Sequence, residues 1–335
     1  MSGPFFAPRL ALKDLHGSHI VERCGKKWKL VLAAMLAFML VAVGVLCKSL
    51  LRLHLTLIQP PRALNSAARQ VIEHREVEGH GLRLRRYDAV NADGTRLAVG
   101  AVSPSSGNIR GTVVLMHGHG SSKESDYWYA HRVFAHEGIL SIFFDSRAHG
   151  ESEGEYFTFG VKESGDLSAV IAESVKQWGT LGKVGVFAGS AGASVAICSL
   201  PYEPRISCAV ISSAFASLED SVARHELRGD FRPLPSFVVQ WALRKAEVTA
   251  AFNVSDLNLV KRVAAIKIPV LLIYGEADAI APPAAGKMLF EKWGSPHKEL
   301  ILVPGASHGH CFDPEHDDVH DAVRQFFVRQ LIHEG

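Results

Sequence analysis

Val184-Gly185-Val186-Phe187-Ala188-Gly189-Ser190-Ala191-Gly192-Ala193 reads as three pieces in ten residues. Val184 to Phe187 is a β-branched and aromatic run of the kind that fits a pleated strand. Ala188 to Gly192 is a tight turn of small residues around one serine, and from Ala191 onward small apolar residues continue as a helix would. A serine at such a strand-to-helix corner sits in a strained conformation, its hydroxyl exposed above a helix N-terminus. Small neighbours are required because the backbones pass too closely for side chains. Alone, Ala-x-Ser-x-Gly fits a small-residue turn or a phosphate-binding loop equally well, so its partners decide.

Outward from this corner, short apolar strands recur at Thr112–Met116, Leu140–Phe144, Cys208–Ile211, Val270–Tyr274 and Leu300–Val303. Between them lie helical patterns at Asp126–His136, Val161–Trp178, Ala191–Leu200, Ala284–Trp293 and Asp318–Leu331. Alternating strands and helices predict an α/β fold, a mostly parallel sheet with helices on both faces. Ahead of them, Leu82–Val90 and Thr95–Val102 flank Asn91-Ala92-Asp93-Gly94 and read as a hairpin. The stretch from 215 to 266 breaks the alternation, and it holds the apolar sequence FRPLPSFVVQWA at 231–242. A structureless loop of that length is unexpected in a compact domain, which predicts a small helical cap.

A serine hydroxyl is a weak nucleophile at neutral pH and needs a general base, which in turn needs an acid to fix its tautomer. Asp278 follows the strand 270–274 in Gly275-Glu276-Ala277-Asp278, and His308 follows the next strand in Pro304-Gly305-Ala306-Ser307-His308. Both therefore fall at strand C-terminal ends, where open α/β sheets place their sites. A tetrahedral intermediate also needs backbone donors for its oxyanion. Ala191, next after the serine, supplies one; His119, in the glycine-rich turn His117-Gly118-His119-Gly120, supplies the other. The rings of His117 and His119 are read as structural. His310 is a rival base, while Asp256 and Asp313 read as solvated or capping residues. His316 and His320, with Asp313 or Asp317, have metal-ligand spacing but lack further ligands.

These residues together resemble the α/β-hydrolase superfamily over roughly 82–332. The resemblance rests on His117-Gly118-His119-Gly120, Asp145-Ser146-Arg147-Ala148-His149-Gly150-Glu151-Ser152, the Ser190 corner, Gly275-Glu276-Ala277-Asp278 and Gly305-Ala306-Ser307-His308, in that order. It implies the α/β-hydrolase fold, a Ser190, Asp278, His308 triad and a structural turn at 145–152. Among subfamilies the chain is most similar to serine-aminopeptidase-like and monoacylglycerol-lipase-like hydrolases, some of them membrane-anchored. It departs from the usual pattern at Ala188 and Ala148, each a methyl where glycine is usual, and at Gly189, smaller than many relatives carry.

The N-terminus differs in kind. Leu30 to Cys47 is an uncharged run of 18 residues, LVLAAMLAFMLVAVGVLC, which as a helix spans about 27 Å, near the thickness of a bilayer core. Trp28 with Lys26, Lys27 and Lys29 on one side, and Lys48 and Arg52 on the other, read as interfacial anchors. The chain of 335 residues holds 36 Lys and Arg against 34 Asp and Glu. Residues 1–62 take nine of the former and two of the latter, leaving 27 and 32 downstream. That downstream excess of acid excludes a basic face for nucleic acid. The charge before the span places the N-terminus in the cytoplasm and the large domain outside. Five cysteines without C-x-x-C spacing give neither a disulfide framework nor a zinc site.

The sequence thus divides into a basic tail at 1–29, a transmembrane helix at 30–47, a juxtamembrane linker at 48–71 and an α/β-hydrolase domain at 72–335. The function expected is a single-pass, membrane-anchored serine hydrolase. It would cleave an ester, thioester or amide of a small or lipid-like acyl substrate, with no cofactor. An acyltransferase on the same triad, or a non-catalytic binding module on the same scaffold, are the alternatives.

Overall fold

A computed structural model describes residues 28, 31, 34–39, 48, 52–62, 80–103, 107–124, 133–224 and 235–333. The chain divides into two units, Met1–Leu53 and His54–Gly335. In the first, the described residues are helical. No helix among the described residues is long and apolar enough to cross a membrane. The run at 30–47 expected to do so lies largely outside them, as do most of the tail at 1–29 and half of the linker at 48–71.

The second unit is built on an eight-stranded sheet: β1 Arg83–Val90, β2 Arg96–Ser103, β3 Gly111–Met116, β4 Ile139–Phe144, β5 Lys183–Gly189, β6 Ile206–Ser212, β7 Val270–Gly275 and β8 Lys298–Val303. Their order is β1-β2-β4-β3-β5-β6-β7-β8. The first two pairings, β1 with β2 and β2 with β4, are antiparallel, and all later ones are parallel. The strands β3, β4 and β7 are buried at every position, as continuous apolar runs covered on both faces should be. The β1–β2 hairpin turns at Gly94, where φ is +86° and the Asn91 N–H donates to the Thr95 carbonyl at 2.9 Å.

Helices α1 Ser164–Trp178, α2 Ala191–Ser199, α6 Pro283–Lys292 and α7 Asp317–Phe327 return the chain between strands or close it. Helix α7 buries Val319, Val323, Phe326 and Phe327, spaced as one helical face. Phe327 reaches the sheet because Gly185 of β5 has no side chain there; a β-carbon would stand 2.7 Å from the Phe327 ring. Of the helix expected at 126–136, residues 133–136 are described and helical. Between β6 and β7 the expected insertion contains α3 Leu218–Arg224, α4 Ser236–Ala250 and α5 Leu259–Val263. The start of the apolar 231–242 stretch lies outside the described residues.

The strand-following loops after β3, β4, β5, β7 and β8 share the carboxyl end of the sheet, as parallel pairing requires. Residues 54–62, placed in the linker by the sequence, run over this end: 54–58 are helical, and Leu57 and Ile58 are buried.

Candidate active site

Ser190 stands between β5 and α2 with φ +52° and ψ −122°, a conformation that a non-glycine residue adopts only when its surroundings impose it. They do so from both sides. The Ser190 N–H donates to the Ser212 carbonyl of β6 at 2.9 Å. Two residues on, a β-carbon at Gly192 would lie 2.5 Å from the His117 carbonyl oxygen and 2.6 Å from that of Met116. Only glycine lets α2 start this close to the end of β3. At Ala188, the departure in the motif, the extra methyl is fully buried within β5.

His308 Nε2 lies 2.9 Å from Ser190 Oγ, and His308 Nδ1 lies 2.9 Å from Asp278 Oδ2. A carboxylate oxygen only accepts, so Nδ1 carries the ring proton and Nε2 is left to accept from the serine hydroxyl. The other Asp278 oxygen, Oδ1, accepts from the Ile280 and Ala281 N–H groups at 2.9 and 2.7 Å. The Asp278 side chain is wholly buried, whereas that of His308 is 22% exposed. The arrangement thus has a dry, fixed end and an accessible end. His310 turns away and pairs with Asp313 at 2.8 Å on the surface. His320 meets the edge of the Phe312 ring.

The loop after β3 passes directly over the serine. A β-carbon at Gly118 would stand 3.5 Å from Ser190 Cβ, and His119 and Ala191 border the same cavity as Ser190. The neighbouring rings hold backbone. His117 Nδ1 donates to the Gly118 carbonyl at 2.8 Å, and its Nε2 accepts from the Ser146 N–H at 3.0 Å. His149 Nε2 accepts from the Gly120 N–H at 3.1 Å, and its Nδ1 donates to the Arg147 carbonyl at 3.0 Å. Burial, then the nearby His117, pushes the His149 pKa down to about 2, so that ring is neutral.

Asp145 anchors the turn at 145–152. It accepts from the Lys123 N–H and ammonium at 2.7 Å each and from the Glu151 N–H at 2.9 Å. Burial alone would raise its carboxyl, but Lys123 and His117 outweigh that and hold it below the usual range. Gly150 at φ +44° is obligatory, since a β-carbon would fall 2.3 Å from the Asp145 carboxylate. Ala148 has φ +62°, which explains why glycine is usual there and costs about 1–2 kcal/mol.

A small cavity opens beside Ser190, walled by Phe159, Phe215, Leu218, Val222, Ile280 and Leu57, with Thr56, Ser221 and His119 as polar members. Leu57 and Thr56 were not expected here. Their only sequence signal is an apolar pattern in 53–58 that continues up to Pro60. Burial pushes the Cys198 and Cys208 thiols up to about 12, and burial together with the nearby Asp278 carboxylate pushes Cys311 up to about 11.

Comparison with known proteins agrees with this architecture. The X-Pro dipeptidyl-peptidase (S15) family matches residues 93–231, and the serine aminopeptidase (S33) family matches residues 250–315. A monoacylglycerol lipase of Mycolicibacterium smegmatis is 23% identical over 251 residues, 66% of this chain and 89% of the lipase. A pimeloyl-[acyl-carrier protein] methyl ester esterase of Hamiltonella defensa is 25% identical over 66% of this chain and 94% of its own length. Among solved structures, a Pyrococcus furiosus esterase superposes with a TM-score of 0.65 at 25% identity, covering 82% of this chain and 99% of the esterase.

Proposed function

Since the chain belongs to the α/β-hydrolase superfamily, we propose that it is a serine esterase acting on a hydrophobic acyl ester through an acyl-enzyme. The observation that carries this reading is the unbroken path Ser190 Oγ, His308 Nε2, His308 Nδ1, Asp278 Oδ2, with 2.9 Å at each hydrogen bond. Ser190 attacks the acyl carbonyl while His308 Nε2 takes its proton; the backbone N–H groups of Ala191 and His119 receive the oxyanion. His308 gives the proton to the leaving alcohol, then accepts one from the water that attacks the acyl-enzyme. Asp278 fixes the tautomer and stabilises the imidazolium.

An ester of apolar acid suits the cavity better than a peptide amino terminus. A free ammonium group is recognised by carboxylates, and the described cavity lining is apolar, hydroxyl and imidazole. The apolar run at 30–47 is proposed as the membrane anchor, N-terminus in the cytoplasm and catalytic unit outside. Protease protection in sealed vesicles of known orientation tests that sidedness; protection of the catalytic unit on the cytoplasmic side alone supports it, and digestion there contradicts it.

The activity is tested with the purified full chain and Ser190→Ala on p-nitrophenyl esters of increasing chain length. Wild type is expected to turn over, with Ser190→Ala lower by about 10⁴-fold or more. Turnover retained by the variant would place the nucleophile elsewhere.

A further inference from the structure

We propose that residues 56–62 are a working part of the active site: Leu57 limits the acyl chain that the cavity accepts, and Arg62 is a positioning residue for the loop carrying His119. The inference rests on the esterase reading above and extends it to a segment that lies 128 residues before the serine in the sequence.

The strap is fixed at four points, all of them on machinery around Ser190. The Leu57 carbonyl accepts from His119 Nε2 at 2.8 Å. The next carbonyl, of Ile58, accepts from the Phe157 N–H at 2.7 Å. Pro61 lies against Gly120, its Cγ 3.5 Å from where a β-carbon would stand. Finally the Arg62 guanidinium forks onto the carbonyls of Gly150 at 3.3 Å, Ser152, and Gly154 at 2.7 Å. A planar fork of donors can hold three carbonyls at once, which a shorter amide cannot.

The loop 117–120 is therefore clamped from two sides. His149, within the turn that Arg62 grips, accepts from the Gly120 N–H. From the other side the strap holds the His119 ring, which also stacks flat on Phe159 with centroids 5.8 Å apart and planes 2° from parallel. Fixing the ring of His119 fixes its peptide, and an oxyanion donor is worth most when it need not reorganise as charge develops. The Leu57 side chain is separately committed: 6% exposed, it forms part of the cavity wall with Phe215 and Leu218.

The test compares full-length Leu57→Trp, Leu57→Ala and Arg62→Gln with wild type and Ser190→Ala on p-nitrophenyl butyrate and decanoate, rates being expressed per site titrated with a fluorophosphonate, and per mole of protein for Ser190→Ala. In Leu57→Trp the decanoate-to-butyrate ratio of kcat/KM is expected to fall about tenfold or more, and in Leu57→Ala to rise. If the Trp variant fails to fold, the Ala variant carries the same test in the opposite direction. In Arg62→Gln, kcat per titrated site on butyrate is expected to fall about tenfold with KM within about twofold. Unchanged chain-length ratios, or an Arg62→Gln variant that loses titratable sites or Tm but keeps kcat per site, would overturn the inference. Turnover surviving in Ser190→Ala would instead defeat the esterase reading itself.

Discussion

The Asp278 carboxylate does two jobs with separate oxygens: Oδ2 accepts from the His308 ring and Oδ1 from two backbone N–H groups. Asp278→Asn keeps the shape but offers an amide that can donate, stabilising the wrong tautomer of His308. kcat is expected to drop by about 10⁴-fold with the fold intact, and a loss below tenfold in steady-state kinetics would contradict the assigned role. His149 makes a second prediction at this scale. Its folded pKa near 2 lies below its ordinary value of 6.5, so the unfolded chain binds a proton that the folded one refuses. The stability of the neutral ring is complete above about pH 6.5 and is lost as pH falls below it, by about 1.4 kcal/mol per pH unit. Tm of wild type should therefore decline more steeply between about pH 6.5 and 4 than that of His149→Gln. Parallel Tm curves would remove His149 from the account.

At the scale of elements, the strand β5, corner and α2 form one device whose tolerance is set by backbone distance. Gly192→Ala places a β-carbon at 2.5 Å from one carbonyl oxygen and 2.6 Å from another; neither is the end of a flexible side chain. The start of α2 must shift, and with it Ser190 and the Ala191 N–H. Denaturant unfolding is expected to show a loss above about 3 kcal/mol or failure to fold, while a variant within about 0.5 kcal/mol of wild type would show that the corner has slack. The eight strands and the helices α1, α2, α6 and α7 were legible because buried parallel strands leave continuous β-branched and aromatic runs, and because Phe326 and Phe327 repeat the spacing of Val319 and Val323. The corner was legible because steric crowding admits few residue types. The strap was not: Leu57 acts through its carbonyl and its place against residues 119 and 215, and contacts of that sequence separation leave no periodic trace. Arg62 was not legible either, since the three backbone carbonyls it grips impose no residue type on their own positions.

Across the whole molecule, Arg147 joins elements that are otherwise remote. Its guanidinium donates to both Asp166 oxygens of α1 at 2.9 and 2.6 Å and to Asp93 in the hairpin turn at 2.9 Å, while Asn91 also donates to Asp166. Although burial opposes its charge, Asp166 and Glu163 hold Arg147 protonated. Arg147→Leu leaves the Asp166 carboxylate buried without its partner, at an expected cost of about 3–5 kcal/mol in chemical denaturation; a neutral outcome would mean that the turn, hairpin and helix are held by packing alone.

If Ser190 is the nucleophile, intact-mass spectrometry of the full chain after exposure to a fluorophosphonate will show it. One phosphonyl group should add to wild type, map by peptide sequencing to Ser190, and be absent from Ser190→Ala. A folded wild type that takes no label, or a label on any other residue, would contradict the account.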